Sequence, residues 1–113
     1  MTTTIEKIQQ QIADNPVLLY MKGSPKLPGC GFSAQAVQAL SACSEHYTYV
    51  NVLTHLDIRE ELPKFANWPT FPQLWVDGTL IGGCDIIIEM HKCGELRPLI
   101  KETAVKYSYR SRL

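Results

Sequence analysis

Apolar residues recur at helical spacing from the start of the chain, with Ile5, Ile8 and Ile12 on one face. Thr3 and Glu6 stand at capping-box spacing before them, and Asp14-Asn15-Pro16 ends the helix. Val17 to Met21 is continuously apolar, which predicts a short buried strand. Lys22 to Gly31 holds three glycines and two prolines, so it is expected to be an ordered loop. A helical pattern resumes at Ser33, with Ala36, Leu40 and Cys43 on its apolar side. Tyr47 to Val52 is rich in aromatic and β-branched residues and predicts a strand. Asp57 is expected to cap a helix that buries Ile58, Leu62 and Phe65, with Pro63 breaking or kinking it. Trp68 to Pro72 cannot be regular structure. Gln73–Val76 and Thr79–Ile81 flank Asp77-Gly78, a two-residue hairpin signal. After Gly82-Gly83 comes a helix with Ile86, Met90 and Cys93 inward, ended by Gly94. A last helix carries Leu96, Leu99 and Ile100, with Pro98 in its first turn.

The predicted order is α, β, α, β, α, β-hairpin, α, α. A β-α-β unit supplies a parallel pair and the hairpin adds antiparallel strands. The expected class is α/β, a mixed four-stranded sheet with helices on both faces. The 113 residues suit one domain, placed at 1–106, with a polar, basic tail at 107–113 that is expected to be mobile. Eleven Lys plus Arg balance eleven Asp plus Glu. That neutrality argues against a nucleic-acid binder and against docking on an anionic membrane. No apolar run approaches the ~20 residues of a spanning helix, and Met1 to Ile8 lacks the features of a signal peptide. The expected location is cytoplasmic, with the four cysteines mostly reduced.

The cysteines separate by context. Cys43 and Cys93 follow Leu40 and Met90 by three residues, so both are expected to pack as small hydrophobes. Cys30 lies between a strand and a helix, flanked by Gly29 and Gly31. The helix start directs free N–H groups and a positive dipole end at the sulfur, and Lys22 adds a nearby charge. Such surroundings favour a thiolate, either nucleophile or metal ligand. The position three residues on is Ser33, so no neighbouring thiol can close a disulfide. Cys84 opens another helix after Gly82-Gly83, and is either a bystander or a candidate redox partner of Cys30. His46, His55 and His91 have no metal-ligand spacing and are expected on the surface. Trp68 and Trp75 are expected in the core or sheet, with Trp68 also supporting the turn that follows it.

Lys22-Gly23, Pro28-x-Cys30-Gly31-Phe32-Ser33, Trp68-Pro69-Thr70-Phe71-Pro72-Gln73-Leu74 and Gly82-Gly83-Cys84-Asp85 together resemble a monothiol glutaredoxin of the CGFS type, in its single-domain bacterial form. The likeness runs from Ile5 to about Lys106. It implies a thioredoxin-like fold, bound glutathione and a bridging [2Fe-2S] cluster. It implies that Pro72 is cis and that the Thr70-Phe71-Pro72 backbone meets the glutathione cysteine. Gly83, Cys84 and Asp85 would then hold the γ-glutamyl end, and Lys22 and Arg59 the glycine carboxylate. A [2Fe-2S] centre takes four ligands. Two Cys30 thiolates and two glutathione thiolates make four, so cluster binding and homodimer formation would coincide.

The resemblance implies cluster transfer or storage and a part in iron homeostasis. Its partners would be a BolA-type protein and iron–sulfur apo-proteins that receive the cluster. The alternative is glutathione-dependent thiol–disulfide exchange, in which Cys30 deglutathionylates a protein. Such activity is expected to be weak, because Ser33 cannot resolve a mixed disulfide. A pure interaction module with a vestigial site is disfavoured by the intact motif set.

Overall fold

The central strand is β1 (Val17–Met21), and the sheet is built outward from it. In the computed structural model, which describes residues 3–111, β1 pairs in parallel with β2 (Thr48–Asn51) and antiparallel with β3 (Gln73–Val76). β4 (Thr79–Gly82) adds antiparallel to β3, giving the order β2-β1-β3-β4. Every residue of β1 is buried because both faces of the strand are covered. Val17, Leu19 and Met21 face one core, with Ala36, Leu40, Cys43, Ile87, Leu96 and Ile100. Those partners come from α2 (Gly31–Ser41), α4 (Cys84–Lys92) and α5 (Leu96–Ser111), with Cys43 just past the end of α2. Leu18 and Tyr20 face the other core, against Ile8 and Ile12 of α1 (Thr4–Asp14) and Ile58 and Leu62 of α3 (Leu56–Ala66). The result is the expected mixed sheet with helices on both faces.

Local signals account for much of this. The Thr3 hydroxyl accepts from the Glu6 N–H at 3.1 Å and starts α1. Asp77 and Gly78 both take positive φ, +50° and +79°, as a tight hairpin between twisted strands requires. Gly94 ends α4 at φ +80°.

Other expectations are corrected. The cap of α3 is His55, without a side-chain cap bond, and Asp57 lies inside the first turn bonded to Lys7. Pro63 does not interrupt α3. It stands in the last turn, where it removes one helical donor, the N–H that would reach the Arg59 carbonyl, and the helix closes three residues later. The Pro63 carbonyl accepts from the Trp68 N–H at 3.0 Å, and Asn67 turns the chain at φ +51°. Cys93 is exposed, and Ile87 rather than Ile86 is the buried isoleucine of α4. The helix ends one residue before Cys93, so the inward spacing no longer holds there. Phe65 is partly exposed, stacked at 6.2 Å on Trp75. The stretch expected as a mobile tail from 107 is helical through Ser111, and Lys106 and Tyr107 both bond the Asp77 carboxylate. Arg112 and Leu113 lie outside the described residues.

Candidate functional site

The β1–α2 junction positions Cys30. After β1 the chain makes a small closed loop: Gly23 and Pro28 form a bridge, and the Gly29 N–H donates to the Lys22 carbonyl at 2.7 Å. Gly23 takes φ +89°, and a Cβ there would lie 2.5 Å from Gly29 N and Leu27 O. Only glycine allows that closure. The loop returns Cys30 to the start of α2 as its N-cap.

At that cap the sulfur replaces the oxygen of a usual capping residue. Sγ accepts from the Ser33 N–H at 3.4 Å and lies 3.3 Å from Ser33 Oγ. Ser33 is fully buried, and its Oγ accepts from the Lys22 N–H at 3.1 Å. The serine hydrogen is therefore free to point at the sulfur. Partial burial pushes the Cys30 pKa up. The Ser33 hydroxyl, the Ser33 and Phe32 N–H groups and the Lys22 charge more than offset this, and the thiol sits below the ordinary cysteine value. Cys30 is half-buried, so the thiolate remains open to reaction.

A cleft of about 700 Å³ lies beside this junction. Lys22, Arg59, Thr70, Phe71, Gly83, Cys84 and Asp85 all line it, together with Phe32, Pro63, Trp68, Pro69 and Ile86. Seven of the nine expected site residues thus meet in one cavity. Cys30 stands outside the lining, between Lys22 and Phe32 in sequence. Pro72 is buried behind the wall, in a cis peptide bond with Phe71 as the resemblance implies. Its carbonyl and the Trp68 indole nitrogen would each lie 3.3 Å from a Cβ placed on Gly83, so glycine keeps this wall thin. Gly83 is also the N-cap of α4, which directs the helix start into the cleft. Lys22 and Arg59 supply positive charge, and Asp85 supplies negative charge. The Trp68 N–H is buried without a hydrogen-bond partner, a donor suited to a ligand oxygen.

Cys84 is buried, and its Sγ donates to Gln35 Oε1 at 3.4 Å. Burial, the Asp85 charge and the Cys30 thiol all raise its pKa. All four cysteines are free thiols. Cys43 packs in the core as expected, with burial raising its pKa. His55 is on the surface as expected, but its Nδ1 lies 2.9 Å from the Asn51 carbonyl oxygen. Among the described residues, no three His, Cys, Asp or Glu side chains are grouped to hold a metal ion. Pro63 and Ile86 stand in the sequence only as helix residues, with no sign that they line the cleft, whereas Pro69 lies inside the Trp68–Leu74 motif. Phe32 likewise lies inside the Cys30–Ser33 tetrad.

Residues 17–81 match the family described as Glutaredoxin. Over 107 residues the chain is 76% identical to Glutaredoxin 4 of Escherichia coli (strain K12), covering 95% of this chain and 93% of that one. It is 68% identical over 104 residues to Glutaredoxin 4 of Haemophilus ducreyi, covering 92% and 97%. Among solved structures, reduced poplar apo GrxS14 superposes with a TM-score of 0.73 at 37% identity, covering 88% of this chain and 91% of that one. A buckwheat glutaredoxin–glutathione complex gives 0.77 at 25% identity, covering 88% and 89%.

Proposed function

The chain belongs to the glutaredoxin family, and from that premise we propose that it is a cytoplasmic monothiol glutaredoxin that carries a [2Fe-2S] cluster. The cluster is cargo, held between two subunits by two Cys30 thiolates and two glutathione thiolates. The observation that carries this reading is the Cys30 cap. Its thiol pKa is lowered, and the residue at the resolving position is a buried serine that hydrogen-bonds the sulfur. A thiolate that no neighbour can oxidise to a disulfide is kept available as a ligand. One chain offers a single such sulfur, so a four-ligand cluster needs the rest from outside. In this reading cluster transfer serves iron–sulfur apo-proteins and iron homeostasis, with a BolA-type protein as a heterodimer partner.

The cleft fits glutathione by its charges. Lys22 and Arg59 would hold the glycine carboxylate, a charge-assisted contact. The Thr70-Phe71-Pro72 backbone would pair with the cysteine residue of the tripeptide as an added strand does. The N–H groups of Cys84 and Asp85 would take the γ-glutamyl carboxylate, and the Asp85 side chain its ammonium. A glutathione seated this way brings its thiol toward Cys30.

The same thiolate also suits disulfide exchange. There Cys30 attacks the glutathione sulfur of a glutathionylated protein and expels the protein thiolate. A second glutathione thiolate then attacks the mixed disulfide, freeing Cys30 and leaving glutathione disulfide. Cys84 is poorly set to replace that second glutathione, because burial and Asp85 raise its thiol pKa and its Sγ is bonded to Gln35.

Anaerobic reconstitution with iron, sulfide and glutathione separates the two readings. The carrier reading predicts a coloured dimer that reverts to colourless monomer when glutathione is removed, and no colour in Cys30→Ser. A wild-type protein that stays colourless but rapidly deglutathionylates a test protein would establish the exchange reading instead.

A further inference from the structure

Asn51 ends β2 and lies outside the cleft lining, yet it joins the two elements that carry the cleft's cations. Its Oδ1 accepts two N–H groups, from Gly23 at 2.9 Å and from Leu53 at 2.9 Å. Gly23 follows Lys22 directly and begins the loop that leads to Cys30. On the other side, the Asn51 carbonyl accepts from the Thr54 N–H at 3.2 Å and the Thr54 hydroxyl at 3.1 Å. The same carbonyl lies 2.9 Å from His55 Nδ1. The His55 carbonyl in turn accepts from the Arg59 N–H at 3.0 Å. One residue therefore fixes the backbone after Lys22 with its side chain, and the start of the Arg59 helix with its carbonyl.

We infer that Asn51 is a positioning residue that sets Lys22 and Arg59 at the separation needed to bind one carboxylate together. The inference rests on the proposal that these two cations hold the glycine carboxylate of glutathione. Lys22 and Arg59 enter from different elements, and a carboxylate gains most when both reach it at once. Without the Oδ1 acceptor, the Gly23 N–H loses its partner and the loop is free to shift against α3. Each cation then still attracts the ligand, but their joint geometry is lost.

The test compares glutathione with glutathione amidated at the glycine carboxylate, titrated against wild type, Asn51→Ala and Asn51→Ser. Serine can keep the local turn to Leu53 but is one bond too short for Gly23. Wild type is expected to prefer glutathione by about tenfold. Both variants are expected to fall below about threefold, with affinity for the amide unchanged. General loosening of the fold would weaken both ligands alike and would contradict the inference. So would a folded Asn51→Ser that keeps the full preference. Absence of preference in wild type would remove the cation-pair assignment and this inference with it, whereas preference retained in the variants would remove the inference alone. Hydrogen exchange gives an independent check: the Gly23 and Leu53 amides must be protected in wild type, and fast exchange at Gly23 would overturn the inference without any variant.

Discussion

Two strand-to-helix junctions in this molecule each carry a cysteine, and they leave their sulfurs in opposite states. Cys30 is the N-cap of α2, and Cys84 is the first residue of α4, one step inside its cap Gly83. At the cap, the sulfur accepts from the N–H of Ser33, so the helix start stabilises the negative charge. One residue further in, the sulfur turns to Gln35 and donates to it. Burial raises its pKa most, and the negative charge of Asp85 adds to it. A cysteine near a helix start is thus not automatically reactive. What decides is how deeply the sulfur is buried and whether it receives the first free N–H groups.

The largest expected difference between the two junctions is in pH-dependent alkylation. The Cys30 rate should rise at lower pH than that of a free cysteine, and the Cys84 rate at higher pH, since only thiolate reacts. Each pKa unit between them is about tenfold in thiolate at pH 7. Mass spectrometry after a short iodoacetamide pulse should therefore find label on Cys30 before Cys84. Equal labelling at every pH would break the comparison.

A smaller effect is expected from Ser33→Ala. It removes the hydroxyl that supports the Cys30 thiolate and leaves the backbone N–H. Because Cys30 is partly exposed, the loss is screened, and the alkylation midpoint should rise only modestly, staying below that of Cys84. The part-buried Lys22 N–H also loses its acceptor, costing roughly 1 kcal/mol of stability, readable in urea unfolding. A midpoint that does not move would assign the lowered pKa to the helix start and the Lys22 charge without the hydroxyl.

The smallest effect is expected from Gln35→Leu. The sulfur–amide bond it removes is weak and Gln35 is exposed, so stability should change by less than about 1 kcal/mol. Cys84 labelling should change by only about twofold, because burial and Asp85 remain. A large gain in Cys84 labelling, or a Cys30–Cys84 disulfide on mild oxidation, would show that Gln35 is what holds the two junctions apart.

Much of this is legible in the sequence. The buried run of β1, the Thr3 cap and the Asp77-Gly78 turn are local signals, and the structure follows them. The contrast between Cys30 and Cys43 was also local, set by glycines on one side and an apolar helix face on the other. The misplacements came where neighbours decide. Pro63 stays inside α3, so its presence in the sequence does not mark a break in that helix. The outward Cys93 and inward Ile87 depend on where α4 stops and which helices cover it. The Cys84–Gln35 bond spans 49 positions and the Asn51–Gly23 bond spans 28, so neither can be read from spacing. The cleft is visible as motifs, but its Pro63 and Ile86 walls arise only when α3 and α4 are packed.

The central claim is that Cys30 is the only protein ligand each subunit gives to a glutathione-bridged cluster. Native mass spectrometry of the anaerobically reconstituted protein tests it most directly. The account predicts a dimer carrying one [2Fe-2S] cluster and two glutathione molecules, retained in Cys84→Ser and lost in Cys30→Ser. A cluster-bearing species without glutathione, or one that survives in Cys30→Ser, would contradict it.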